Sequence, residues 1–341
     1  MRTQAHAFGD GPCVVNPARR TLLRVGALAL LAIGLLAAQI FHARSTNMAS
    51  TAALPRVLVD GGDGGGLPRA QPAYERMDAA ALERAATDRA ASGLQVFVVM
   101  RDGEIVFERY GHDLAGDAQI DSGAFAQVLV ALAAGVATTD GAMAPGALQG
   151  FAANAWRAAL EAGTQQRYEV YLSRNVWSRL NAAPAWIQLP MNGAATPADC
   201  CFHARLLDWM RIANLLVDDG RFEGKQIVPH GWVQRMQRPI SLDAVRGLGV
   251  ELAASARGAE GFATGGVFFV RGPGRWRMWL VPQLKLAVLF GAATPGVATP
   301  GVATPGVWDE TRLPNLVIRA VSDRQLQPGD ATDLQRLVPG H

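Results

Sequence analysis

Few residues in this chain are spaced to do chemistry. Ser122 follows Asp121 in DSGAFAQVLVALAAGVATTDG, residues 121–141, a polar lead into a long apolar helix that is predicted to end at Asp140-Gly141. As a nucleophile Ser122 needs a base, but it has no adjacent lysine or histidine, and the chain has no GxSxG elbow. Asp121 and Ser122 both suit the helix N-cap, and that is the expected role. Cys200-Cys201 with His203 two residues on offers three potential ligands, too few at ordinary spacing for a metal site. The two cysteines could form a vicinal disulfide or remain two small buried side chains, and the second is expected. Tyr168 and Tyr171 are three apart on a helical stretch and read as packing residues. His112, His203 and His230 are too scattered in sequence to suggest a triad.

The elements that would hold these residues follow from hydrophobic period and turn chemistry. MDAAALERAATDRAAS (77–92) is an alanine-rich helix, and LQVFVVMRDGEIVFERYG (94–111) is a hairpin turning at Asp102-Gly103. The first strand of that hairpin is apolar almost throughout, which predicts cover on both faces. A helical middle includes RYEVYLSRNVWSRL, and ARLLDWMRIANLLVDD (204–219) is an amphipathic helix stopped by Gly220, with another short helix near VPHGWVQRM. ATGGVFFVRG, RWRMWLVP and LKLAVLFG predict an antiparallel meander, and LPNLVIRAVSDR a final helix. Together these make an α+β domain, an antiparallel sheet flanked by helices, over residues 74–326. The glycine-rich stretch 45–73 reads as a linker, the ATPGV repeat (291–307) as an irregular insertion, and 327–341 as a flexible tail.

Half the residues are apolar and 18% are charged, so a sizeable core is expected. The net charge of +3 is misleading: residues 1–44 carry +4 (Arg2, Arg19, Arg20, Arg24 and Arg44 against Asp10), which leaves −1 for 45–341. A basic tail without a basic fold gives no case for nucleic acid. The arginines instead flank VGALALLAIGLLAAQI (25–40), a membrane segment. The reading is a signal anchor over 21–44, with 1–20 cytoplasmic and the bulk of the chain on the periplasmic side of a bacterial inner membrane. A cleaved signal peptide is the alternative, and it changes the tether but not the compartment.

In order along the chain, the hairpin, the helix after it, YLSRNVWSRLNA, ARLLDWMRIANLLVDDGRFEGKQIVPHGWVQRM, FATGG and WDETRLPNLVIRAV resemble the serine β-lactamase and penicillin-binding-protein family. The likeness is to the branch with class C β-lactamases, esterases and nylon-oligomer hydrolases, and it covers most of 77–322. It implies a β-lactamase/transpeptidase-like fold and a serine with a lysine one helical turn later. No S-x-x-K exists: the only lysines, Lys225 and Lys285, follow Phe222 and Pro282 by three. Counted back from Gly135, the implied nucleophile and base fall on Ala124 and Gln127. Alanine cannot attack and an amide cannot take a proton, and losing such a set costs on the order of a million-fold in rate. The family's Y-x-N is also missing, and only 26 residues (142–167) separate Gly141 from Tyr168, which implies a reduced helical subdomain. K-T-G survives in part as Ala263-Thr264-Gly265, followed by Gly266. If helix and strand adjoin, the amides of Ala124 and Gly266 would form an oxyanion hole.

The expectation is therefore a membrane-tethered β-lactamase-like domain with an emptied catalytic set. It would bind, at most, a cell-wall or small acyl ligand or a partner around Ala124, Gln127, Thr264, Gly265 and Gly266, with no metal or cofactor. An active ester, amide or β-lactam hydrolase using Ser122 is the second expectation, and a tethered scaffold the third.

Overall fold

The computed structural model describes residues 55–88, 93–111, 114–144, 150–191, 196–198, 200–240, 245–292 and 308–323. The anchor segment 21–44, the ATPGV repeats from residue 293 onward and the tail 327–341 lie outside them. Among the described residues no helix is long and apolar enough to cross a membrane.

In chain order the elements are β1 (Arg56–Val59), α1 (Ala79–Thr87), β2 (Leu94–Arg101), β3 (Glu104–Tyr110), β4 (Gln119–Asp121), α2 (Ala126–Thr139), α3 (Ala153–Thr164), α4 (Tyr168–Leu172), β5 (Ala185–Gln188), β6 (Phe202–Arg205), α5 (Leu206–Val217), β7 (Arg221–Phe222), β8 (Lys225–Gln226), α6 (Trp232–Met236), β9 (Glu251–Leu252), β10 (Phe268–Arg271), β11 (Arg277–Val281), β12 (Leu286–Ala292) and α7 (Arg312–Arg319). The main sheet has six antiparallel strands in the order β3-β2-β12-β11-β10-β9. Segments far apart in sequence thus pair inside it, β2 with β12, and the α+β expectation holds. A second sheet, β1-β5-β6-β4, and the ribbon β7-β8 complete the fold.

The β2–β3 turn forms at Asp102-Gly103 because both residues take positive φ, 49° and 87°, which suits the twist of a two-residue hairpin loop. Alternation along β2 then serves two cores. Val96, Val98 and Met100 face α2 and α5, while Phe97 and Val99 face α1 and α7. An all-apolar strand is what a sheet covered on both sides requires. Helix α2 follows the same logic, since every residue from Val128 to Ala137 is buried. Gly135 lets the Trp232 indole lie against the helix, where a Cβ would come within 2.5 Å of Nε1, and that Nε1 donates to the Ala131 carbonyl at 3.0 Å.

Two sequence boundaries need correction. The glycine-rich stretch is not a linker throughout, because β1 pairs with β5 from Arg56 to Val59 and the following strap is pinned. The hydroxyls of Ser173 and Ser178 donate to the Asp60 carbonyl at 2.8 and 2.9 Å. Asp208 orients two arginines, each 3.1 Å away, and they donate onward to the carbonyls of Gly64 (Arg205) and Gly65 (Arg211). Glycine is needed here for close approach rather than for flexibility, as a Cβ on Gly61 would sit 2.2 Å from the Ala182 oxygen. The folded part therefore begins near Pro55, not at residue 74. At the other boundary, Gly291 and Ala292 belong to β12 and not to the repeat insertion.

Candidate functional site

A single turn of 3-10 helix, Gly123–Phe125, runs straight into α2. Asp121, not Ser122, caps it: its Oδ1 accepts from the Gly123 N–H at 3.0 Å, whereas Ser122 makes no capping bond. Gly123 takes φ 49°, and a Cβ there would meet the Pro273 ring at 2.9 Å. Gly272 is pressed in the same way against the Phe125 ring. The β10–β11 turn thus packs on the start of the helix, which brings the C-terminal end of β10 beside Ala124.

A cavity of about 180 Å³ opens at this junction. Ala124 and Gln127, one turn apart, form part of its wall, and the rest comes from Phe151, Ile240, the 246–251 segment, Val270 and Arg271. The 246–251 segment reaches the helix through Gly249, at φ 70°, where a Cβ would come within 3.0 Å of the Gln127 carbonyl oxygen. Among the described lining residues there is no serine, threonine, cysteine, lysine, tyrosine or histidine. The charged ones are Arg246, Glu251 and Arg271.

These charges belong to a network that the sequence reading missed. Glu251 lies 3.8 Å from Arg246 and 3.9 Å from Arg271. Arg271 also pairs with Glu310, which receives Arg277 at 2.7 Å and the Arg257 N–H at 2.9 Å. Burial opposes ionisation of Glu310, but the backbone bond from Arg257 and the two guanidinium groups outweigh it and hold its carboxyl below the usual range. The one hint in the sequence was an arginine interrupting the apolar run of ATGGVFFVRG. Its partner Glu310 is 39 residues away and could not be read from it.

The other expected site residues are not at the cavity. Thr264, Gly265 and Gly266 precede β10 at its opposite end, where the Gln283 amide donates to the Thr264 hydroxyl and to the Gly265 carbonyl at 2.7 Å. The oxyanion hole expected from the amides of Ala124 and Gly266 is therefore not assembled. Ser122 is completely buried, does not line the cavity, and its Oγ has no hydrogen-bond partner among the described residues. Tyr168 packs under Arg157, whose Cζ lies 5.1 Å from the ring centre, and the Tyr171 hydroxyl donates to Asp140 at 3.1 Å. Burial pushes both phenols up, so neither is placed to give or take a proton near neutral pH. His203 stacks on Trp186, with ring centres 5.3 Å apart, and His230 bonds Asp219 at the surface. His112 lies outside the described residues. Cys200 and Cys201 are joined in a disulfide, contrary to the expectation of two free buried thiols. Among the described residues no group of three or more potential metal ligands comes together.

No family model matches the chain, and no curated protein matches it by sequence. Its fold has many solved counterparts. A protein from Bacillus anthracis described as a 6-aminohexanoate-dimer hydrolase superposes with a TM-score of 0.55 at 12% identity, over 70% of this chain and 85% of that one. A family VIII carboxylesterase gives 0.52 at 12%, over 74% and 99%. A penicillin-binding-protein homologue from Caulobacter crescentus gives 0.50 at 13%, over 75% and 100%. The chain has the fold shared by β-lactamases, penicillin-binding-protein homologues and related serine hydrolases.

Proposed function

We propose that this chain is a β-lactamase-fold protein that no longer performs covalent catalysis. In this reading it is tethered to the bacterial inner membrane and holds a small acyl or cell-wall-derived ligand at the cavity beside α2. The observation that carries it is the pairing of Ala124 and Gln127. They share the wall of the cavity at the first helical turn, the spacing a serine and its base would need, yet neither can attack or accept a proton. Two arginines to one glutamate in the lining favour a ligand with a negative charge. The arginine-flanked apolar run at 25–40 supports the tether.

The test is intact-mass analysis of the purified protein after a fluorophosphonate and a labelled penicillin. No adduct is expected in the wild type. An adduct that disappears in Ser122→Ala would overturn the proposal and restore Ser122 as a nucleophile, despite its burial and lack of a partner. The double variant Ala124→Ser with Gln127→Lys, treated alongside, is expected to gain label slowly if these positions face the ligand.

A further inference from the structure

The Cys200–Cys201 bond has no part in the proposed ligand site and occupies a particular place in the fold. Both residues are half-buried and lie outside the core. They stand immediately before β6, at the end of the connection from β5. Cys201 is held at φ 68°, a left-handed conformation that a residue with a Cβ rarely adopts unless something constrains it. The disulfide between neighbours closes a small ring through the peptide that joins them, and that ring is the constraint at hand.

The backbone around the ring is used. The Cys201 carbonyl accepts from the Gln188 N–H at 2.8 Å, and the next carbonyl, that of Phe202, accepts from the Ser122 N–H at 2.9 Å. Just before the pair, the Ala198 N–H donates to Asn154 Oδ1 at 2.7 Å and Arg157 donates to the Thr196 carbonyl at 3.2 Å. Both of these partners are on α3. Cys201 therefore lies between the clasp on α3 and strand β6, whose first carbonyl, that of Phe202, holds Ser122, the residue leading into α2.

We propose that Cys200–Cys201 is a reversible thiol–disulfide modification site, acted on by a dithiol reductant, whose redox state sets how firmly this clasp holds. One thiolate of the reductant attacks one Sγ, the Sγ–Sγ bond breaks, and a mixed disulfide forms while the released Sγ takes up a proton. The second thiol of the reductant then attacks its own sulfur in the mixed disulfide and expels the remaining cysteine, which is protonated in turn. Two electrons and two protons pass to the cysteine pair, and the reductant leaves as a cyclic disulfide. Without the ring, Cys201 relaxes toward negative φ and its carbonyl turns away from Gln188.

The test uses the full-length protein, oxidised or treated with dithiothreitol, with thiols counted by alkylation and mass and amide exchange followed by mass spectrometry. Reduction of the folded protein is expected to raise the count of alkylatable thiols by two over the oxidised protein, which also carries Cys13, and to speed exchange at Gln188, Ala198 and Ser122 by about ten-fold or more, with the β2–β12 pairing unchanged. Cys201→Ala should reproduce the reduced pattern. Cys201→Gly, which accepts φ 68° without a ring, should stay close to the oxidised one. Equal exchange in the two redox states, or a bond that yields to dithiothreitol only after denaturation, would overturn the proposal. If Cys201→Ala does not fold, the titration of the wild type still decides.

Discussion

The two ends of strand β10 have different neighbours. At its C-terminal end Arg271 joins Glu251, Glu310 and Arg277 beside the cavity, with Glu310 almost fully buried. At the N-terminal end Thr264, Gly265 and Gly266 lie at the surface against Gln283. The tripeptide that looked like a catalytic remnant sits at the end away from this cavity, and Arg271 sits at the end that borders it. A short motif acquires chemical meaning from what it packs against. At one end of this strand that is a helix start and a buried carboxylate, and at the other it is a turn and solvent.

The largest expected effect comes from breaking the buried charges. Glu310→Gln leaves Arg277 and Arg271 without their shared countercharge and should cost about 3 kcal/mol in urea unfolding. A loss below about 1 kcal/mol would remove the energetic distinction between the two ends. Next come paired glycine substitutions. Gly249→Ala forces a Cβ at φ 70° to within 3.0 Å of the Gln127 carbonyl and should cost about 2 kcal/mol while narrowing the cavity. Gly265→Ala meets nothing within 4 Å and should lie within about 0.5 kcal/mol of wild type.

The same contrast predicts a pH dependence. The Glu310 carboxyl is depressed in the folded state, so its contribution is fully present above the unfolded glutamate pKa, about 4.3, and is lost as pH falls through the folded value. The stability gap between wild type and Glu310→Gln should thus be constant from pH 8 to about 5 and close below about 4. A gap that widens on acidification would contradict the assigned network. The smallest effect is expected for Thr264→Ala, which removes one surface hydrogen-bond acceptor. It should change stability by less than about 0.5 kcal/mol and leave any cavity ligand bound as before.

Much of the fold was legible in the sequence because its signals are local. The Asp102-Gly103 turn, the apolar runs of β2, β11 and β12 and the stop of α5 before Gly220 each depend on a few adjacent residues. The placement of Ala124 and Gln127 was legible for the same reason, since a three-residue step on a helix fixes a shared face wherever the helix goes. The strap at 60–66 was misread because glycine-rich chain looks alike whether free or pinned, and its pins come from Ser173, Ser178, Arg205 and Arg211 far along the chain. Thr264 was misplaced because sequence order does not say which end of a strand meets the helix.

By itself, then, the amino-acid sequence determined most helices and the strands of the two-faced sheet, and the lack of a nucleophilic or basic side chain at Ala124 and Gln127. These follow from side-chain type and short-range spacing. Only the tertiary structure decided that Ser122 is buried away from the cavity, that Arg271 rather than Thr264 borders it, and that Cys200 and Cys201 are bonded. Each of these depends on contacts between distant segments or on the backbone angle at one residue, and neither leaves a periodic trace in the chain.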